Sequence, residues 1–409
     1  MTLYEDLMYR GLIKDVASED IKKVLDGDPI TFYWGTDPTA SSLHVGHYSS
    51  LITAKRLAKA GHHPILLVGG ATGLIGDPRP TAEREIISKE QLNKYFEGIK
   101  KQVTDIFDGN VEVVNNYDWF KDISWIDFLR DTGKYININY MLDKDIIRRR
   151  LETGITFAEF AYTLMQGYDY QYLYETKNVT LQCAGSDQWG NITTGVDLIA
   201  KRLGKSVNAF TMPLILDASG NKIGKSEGNA VWLDKKLTSS YKLFQYLVNT
   251  PDSKVEEYLK VYTFLSKEEI DEVMKKHNEK PEERNAQRVL AKEFICDLHG
   301  KEEYEKAEKI SKSLFTDEIY SLTKEDILGA LDGVPTFTIK EGNIIDVLVD
   351  NSICSSKREA REMVSGNAIS INNQKINDLE YNISKKEAID KKIIVIKKGK
   401  RNFFIGIFE

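Results

Sequence analysis

Cysteine and proline are scarce in this sequence, and long apolar runs are missing altogether. Its three cysteines, Cys183, Cys296 and Cys354, lie far apart, which suggests neither a disulfide framework nor a zinc site. The longest apolar stretch, residues 64–75, is interrupted by glycines and falls far short of a membrane span. The opening Met-Thr-Leu-Tyr-Glu-Asp has neither the basic start nor the apolar core of a signal peptide, so a cytoplasmic protein is expected. A net charge of −6 excludes a surface coated in positive charge for nucleic acid, though not a local basic patch. With 41% hydrophobic residues, 29% charged residues and 9 prolines, the composition is that of a globular protein, and 409 residues predict two or three domains.

What is present centres on residues 33–47, Tyr-Trp-Gly-Thr-Asp-Pro-Thr-Ala-Ser-Ser-Leu-His-Val-Gly-His. A strand end at residues 30–32 precedes it. Leu51, Ile52, Ala54, Leu57 and Ala58 then recur at helical spacing, so residues 35–42 read as a strand-to-helix turn. His44 and His47 share one face at the helix start, where free N–H groups and the helix dipole favour an anion. Gly46 between them has no side chain to keep a flat ring from the backbone. Two ring donors there can hold a polyphosphate while a base stacks over the glycine; a chance pair on a capped helix has the same spacing. No metal site is expected, since no Cys or Glu stands at ligand spacing nearby.

Residues 64–70 read as a buried strand, which completes a βαβ unit of a parallel sheet. Ligands in such sheets bind at the carboxyl ends of strands, and Tyr33, Gly35, His44 and the loop 69–77 would meet there. That loop is glycine-rich and ends in Asp77; Arg84 follows in a charged segment. Phe128, Leu129, Tyr135, Ile136, Ile138, Tyr140 and Met141 form an apolar cluster expected to be core or subunit interface, followed by a basic run at residues 144–150. Tyr162, Gln166 and Asp169, four and three apart, put a polar stripe on one helix face, which must look into a polar cavity or into water. A strand at residues 179–183 leads to Gly185-Ser186-Asp187-Gln188-Trp189-Gly190-Asn191 and a helix over 192–203. A further strand, 212–216, and a loop, 217–221, deliver Lys222-Ile223-Gly224-Lys225-Ser226.

Beyond residue 231 the periodicity becomes helical to about residue 331, with a linker at 333–342. The last part carries Lys357, Arg358 and Arg361 on a short helix pair, a hairpin at 368–373, and Lys391, Lys392, Lys397, Lys398, Lys400 and Arg401 on β-rich segments. Basic charge concentrated here in an acidic chain favours RNA over a docking role.

Together these pieces resemble the bacterial-type tyrosyl-tRNA synthetases, class I aminoacyl-tRNA synthetases whose paired signatures appear here as His44-Val45-Gly46-His47 and Lys222-Ile223-Gly224-Lys225-Ser226. The resemblance also takes in Tyr33 with Gly35 and residues 37–40, residues 69–77, Asn116-Tyr117-Asp118-Trp119, the stripe Tyr162, Gln166 and Asp169, and residues 185–191. It implies an α/β fold: a Rossmann-like parallel-sheet catalytic domain (residues 1–228) with a dimerisation segment inserted at about 115–180. An all-helical anticodon-binding domain (229–332), the linker and a small α+β RNA-binding domain of ribosomal-protein type (343–409) would follow. The implied reaction joins L-tyrosine to ATP, entering as its Mg2+ complex, and then passes tyrosine to tRNA(Tyr); the implied assembly is a homodimer. Thr39, His44, His47, Arg84, Lys222 and Lys225 would handle the phosphates. Gly35, Asp37, Gly46, Gly185, Asp187 and Ile215 would hold the rest of the nucleotide, with Asp37 and Asp187 on the ribose. Tyr33 and Asp169 would read the phenol hydroxyl; Asp77, Tyr162 and Gln166 would take the ammonium group, with Gln182 and Gln188 near the polar end.

Three departures stand out: Trp34 in place of a small residue, Thr36 in place of a frequent phenylalanine, and a loop after Asp77 that offers Arg79 instead of lysine. The rival readings are a tryptophanyl enzyme, which would lack the phenol readers, a catalytically silent RNA-binding relative with broken signatures, and a small-molecule adenylyltransferase without the basic module.

Overall fold

A computed structural model describes residues 1–78, 87–226, 229–399 and 402–408. Chain contacts divide these into two compact units, residues 1–237 with 250–290, and residues 238–249 with 291–409. No described helix is long and apolar enough to cross a membrane.

The first unit is built on a six-stranded sheet: β1 (Val16–Ala17), β2 (Thr31–Thr36), β3 (His63–Val68), β4 (Glu112–Asn115), β5 (Val179–Gly185) and β6 (Asn208–Met212), in spatial order β1-β6-β5-β2-β3-β4. All neighbours are parallel except β1, which runs antiparallel to β6. From β2 the chain builds outward to β3 and β4; β5 then starts again on the other side of β2 and continues to β6. The reversal leaves a crevice at the carboxyl ends of β2 and β5, where Tyr33 and Gln182 sit in register. Strands of such a sheet are covered on both faces, which explains the near-continuous burial of Ile65 to Val68 and of Leu181 to Ala184.

Four helices set the site. Helix α1 (Val45–Lys59) follows β2 and buries Leu51, Ile52, Ala54 and Leu57. Helix α2 (Phe157–Lys177) starts on a capping box between Thr156 and Glu159 and stops at Asn178 in the left-handed region (φ 53°), which Asn tolerates. The same Glu159 forms a buried two-bond pair with Arg150 (2.7 and 2.9 Å). Helix α3 (Trp189–Leu203) returns to β6, and α4 (Asp252–Tyr262) packs against α1.

Sequence periodicity misplaced some boundaries. The strand expected at 212–216 ends at Met212, because Pro213 has no N–H to donate to the ladder. Helix α1 begins at Val45 with His44 as its cap, in line with the two histidines at a helix start. Strands β1 and β4 were not anticipated, being two and four residues long.

The second unit combines helices such as Ser240–Val248 and Lys301–Ser313 with a five-stranded sheet of 374–376, 369–371, 393–398, 402–408 and 336–339. Ile344, Leu348, Val364, Ile369, Ile394 and Ile396 form its core. The expected hairpin is present. Asn372 and Asn373 make its two-residue turn at φ 47° and 70°, both left-handed, the type whose twist matches paired strands. Lys398, counted among the basic residues that favour RNA, is engaged within the fold: its Nζ donates to the Ile353 carbonyl (2.8 Å) and to Glu359 Oε1 (2.7 Å). That bond, with those from Ser355, pulls the Glu359 carboxyl down to about 2. Lys398 therefore ties strand to helix, while Lys397 lies over the Phe403 ring. Lys400 and Arg401 lie outside the described residues.

Candidate active site

The crevice contains two chemically different halves. The first is buried. Tyr33 on β2 is 2% exposed and Asp169 on α2 is 1% exposed. Asp169 accepts bonds from Asn116 Nδ2 (3.0 Å) and Trp119 Nε1 (2.9 Å), one on each oxygen. Burial pushes its carboxyl well above the ordinary range, against the pull of these two donors. Burial likewise holds the Tyr33 hydroxyl well above its usual value, with the nearby Asp169 charge second, so Tyr33 stays a phenol. The Tyr33 hydroxyl and Gln166 Oε1 are buried and have no hydrogen-bond partner among the described residues. Orphaned polar atoms of that kind cost free energy unless a ligand completes them.

From Asp169 a continuous polar chain runs up the crevice. Asn116 Nδ2 also donates to Thr72 Oγ1 (2.9 Å), and Thr72 donates to Asp37 Oδ1 (2.7 Å). Tyr162 donates its hydroxyl to Asp37 Oδ2 (2.9 Å). Gly69 is needed at this crossing, because a Cβ there would fall 2.2 Å from both Asp37 Oδ1 and Thr72 Oγ1. On the far wall Asp77 accepts from Gln188 Nε2 (3.0 Å) and Asn191 Nδ2 (3.2 Å). Lys144 steadies that wall by donating to the Gly190 carbonyl and to Thr194 Oγ1 (2.6 Å) at the start of α3. Burial pushes the Lys144 ammonium down to about 8.

The second half is more open. His44 caps α1: its Nδ1 accepts from Gly46 N (3.0 Å), while His47 Nδ1 accepts from His44 N (3.3 Å). The rings stack 3.9 Å apart. With both Nδ1 atoms accepting, the geometry assigns the proton to Nε2 in each neutral ring, which makes Nε2 a donor. Thr39 is exposed in the turn after β2, and its N–H donates to the Asp37 carbonyl (2.9 Å). Gly35 is the next-to-last residue of β2 and Gly185 the last of β5; Ile215 is buried, and its carbonyl accepts from Ile223 N (3.0 Å).

Two expected placements differ here. Gly46 was expected to leave its face open to an adenine, yet the Ile223 carbonyl and Gly224 lie against it. A Cβ on Gly46 would be 2.6 Å from that carbonyl. The cause is backbone pairing: Val45 N donates to Val231 O (3.0 Å) and Val231 N to Gly224 O (3.1 Å), which seats the loop on the helix start. Likewise Lys222 Nζ sits 2.9 Å from Asp187 Oδ2, so the phosphate cation and the expected ribose reader are paired with each other. Trp34 is buried and donates to Ser50 Oγ (3.0 Å), which places its bulk against α1. Arg84 and Arg79 lie outside the described residues, and of Lys225 only the backbone, in a short strand, is described.

Asn116, Trp119, Thr72, Asn191 and Lys144 carry no role of their own in the sequence reading, although all five lie within stretches it quoted. The signal for them was weak, because the strand that delivers Asn116 is too short to show a period.

The family of class I tRNA synthetases (W and Y) matches residues 25–316 of this chain, and a tyrosine--tRNA ligase C-terminal domain family matches residues 326–406. Tyrosine--tRNA ligase 1 of Streptococcus thermophilus is 46% identical over 415 aligned positions, covering 99% of each chain. The chain belongs to the tyrosine--tRNA ligases of class I. The Streptococcus mutans tyrosine--tRNA ligase is 45% identical over 99% of each chain. Among solved structures, a C-terminally truncated mitochondrial tyrosyl-tRNA synthetase of Aspergillus nidulans matches with a TM-score of 0.70 and 32% identity, over 77% of this chain and 94% of that one.

Proposed function

We propose that this ligase activates L-tyrosine in the crevice between β2 and β5 and then passes it to tRNA. The observation that carries this reading is the unpartnered Tyr33 hydroxyl, buried beside Asp169, with Gln166 Oε1 also unpartnered. A substrate phenol fits there as donor to Asp169 and acceptor from Tyr33. Phenylalanine would leave those groups unpaired; rejection by a factor of about 10⁵ is the established figure for tyrosyl-tRNA synthetases themselves. Asp77, Tyr162 and Gln166 take the ammonium group, with Gln182 and Gln188 beside the carboxylate.

The substrate carboxylate attacks the α-phosphorus of ATP, the bond to the β-phosphate breaks, and pyrophosphate leaves. The attacking group is already ionised, so no general base is needed. Positioning and charge stabilisation dominate such a transfer. His44 and His47 present Nε2 donors at a helix N-terminus, Thr39 adds a hydroxyl, and Lys222, Lys225 and Arg84 supply cations. Gly35, Asp37, Gly46, Gly185, Asp187 and Ile215 surround the nucleoside. Because Lys222 and Asp187 are paired and the loop covers Gly46, the loop lifts to admit ATP and closes on it again. ATP brings its own Mg2+, and the reading gives the protein no resident metal.

The catalytic part (1–228), the helical part (229–332) and the C-terminal module (343–409) divide the work, the last two holding tRNA. Trp125, Ile126, Ile138 and Phe157, each more than half exposed, form the apolar surface on which a second copy would dock in a cytoplasmic homodimer.

The deciding experiment is exchange of labelled pyrophosphate into ATP with tyrosine, phenylalanine or tryptophan and no tRNA. Exchange with tyrosine alone is expected; exchange with tryptophan would overturn the roles of Tyr33 and Asp169.

A further inference from the structure

Helix α4 carries two buried tyrosines four residues apart, Tyr258 and Tyr262, on one helix face. Their hydroxyls go to two different places. Tyr262 donates to the Val45 carbonyl (3.3 Å), inside the His44–His47 signature. Tyr258 donates to the Leu216 carbonyl (3.1 Å). Leu216 is bridged across its hairpin to Lys222, the cation paired with Asp187. One helix thus puts a hydroxyl into each of the two stretches that handle the nucleotide.

The helix is held firmly enough to act as a template. Its two rings meet edge to face at 5.8 Å, and Tyr262 lies parallel to Tyr48 of α1 at 6.4 Å. At its C-terminus, Arg56 of α1 donates to the carbonyls of Val261 (2.9 Å) and Thr263 (2.6 Å). Arg10 donates to those of Lys260 (2.7 Å) and Leu265 (2.6 Å). Guanidinium groups on the last carbonyls suit the negative end of a helix dipole.

We infer that Tyr258 and Tyr262 are positioning residues for ATP, setting the spacing between the His44–His47 turn and the loop that bears Lys222. This rests on the reading of those two stretches as the ATP site. Neither hydroxyl touches substrate; each acts through a backbone carbonyl. A purely structural pair of tyrosines would affect melting alone. A positioning pair affects the nucleotide step and spares the tyrosine pocket, which lies on other elements.

The test uses the full chain with Tyr258→Phe, Tyr262→Phe and the double substitution, each losing only oxygen atoms. Pyrophosphate exchange is measured against ATP at saturating tyrosine and then against tyrosine at saturating ATP, with His47→Asn in parallel. Each single variant is expected to lose about three- to tenfold in kcat/KM for ATP, the scale of one lost hydrogen bond. The tyrosine KM is expected to stay within about twofold, and the double variant to lose less than the product of the singles, because both act through one helix. Unchanged ATP parameters, with or without a lower melting temperature, would overturn the inference, as would an equal shift in the tyrosine KM. Should His47→Asn also leave ATP parameters unchanged, the ATP site itself has been misread. If His47→Asn impairs ATP use and the tyrosine variants do not, only the inference fails.

Discussion

The two halves of the crevice solve opposite problems. Around Asp169 a buried polar chain runs from Trp119 and Asn116 through Thr72 to Asp37 and Tyr162, and leaves the Tyr33 hydroxyl and Gln166 Oε1 without a partner among the described residues. The half proposed for ATP has a solvent-facing Lys222–Asp187 pair and a loop seated by backbone bonds. A buried pocket with two polar atoms left for a ligand to complete punishes a wrong side chain, because any unmatched group stays desolvated. An exposed ion pair costs little to break, which suits a loop proposed to open for ATP. On the proposed reading, selectivity and turnover are separated in space, and substitutions on the two sides should differ in kind.

The sharpest break is Asp169→Ala. It removes the proposed phenol acceptor and strands two buried donors, so kcat/KM for tyrosine should fall roughly 10³-fold, the equivalent of about 4 kcal/mol. The ATP KM should hardly move. Steady-state exchange kinetics check this, and a comparable change in the ATP KM would erase the contrast between the halves.

Lys144 gives a pH test of how dry the tyrosine side is. Its ammonium titrates near 8 in the folded chain, below the usual lysine value. Between the two values the unfolded chain binds more protons than the folded one, so stability from this group rises with pH, starting near 8. The total is at most roughly 3 kcal/mol. Denaturant unfolding from pH 7 to 10, read as wild type minus Lys144→Met, should show wild type gaining. A flat difference would mean that Lys144 is solvated.

Tyr33→Phe is the milder change, because only the hydrogen bond proposed from its hydroxyl to the substrate disappears and the Asp169 carboxyl remains. About a tenfold loss in discrimination between tyrosine and phenylalanine is expected, from competing exchange assays. The smallest effect belongs to the other half. Asp187→Asn should change folding stability by less than about 0.5 kcal/mol in thermal melts, as for other exposed pairs. A loss several times larger would show that the loop is latched rather than merely resting.

The chemistry was legible in the sequence wherever local spacing decides it. His44 and His47, three apart before a helical period, had to share a face at a helix start. Tyr162, Gln166 and Asp169 had to line one side of α2, and Asn372-Asn373 had to turn a hairpin. Regular backbone periods fix such relations before any tertiary contact forms. The tertiary structure alone decided which distant segments meet. Strand β4 is too short to declare itself, so nothing local could bring Asn116 and Trp119 to Asp169. No spacing could tell that Lys398 is spent on Glu359 while Lys397 is not, or that Lys222 faces Asp187. Pairings of this kind arise when strands from remote parts of the chain become neighbours in one sheet, and burial then sets what each side chain must bond.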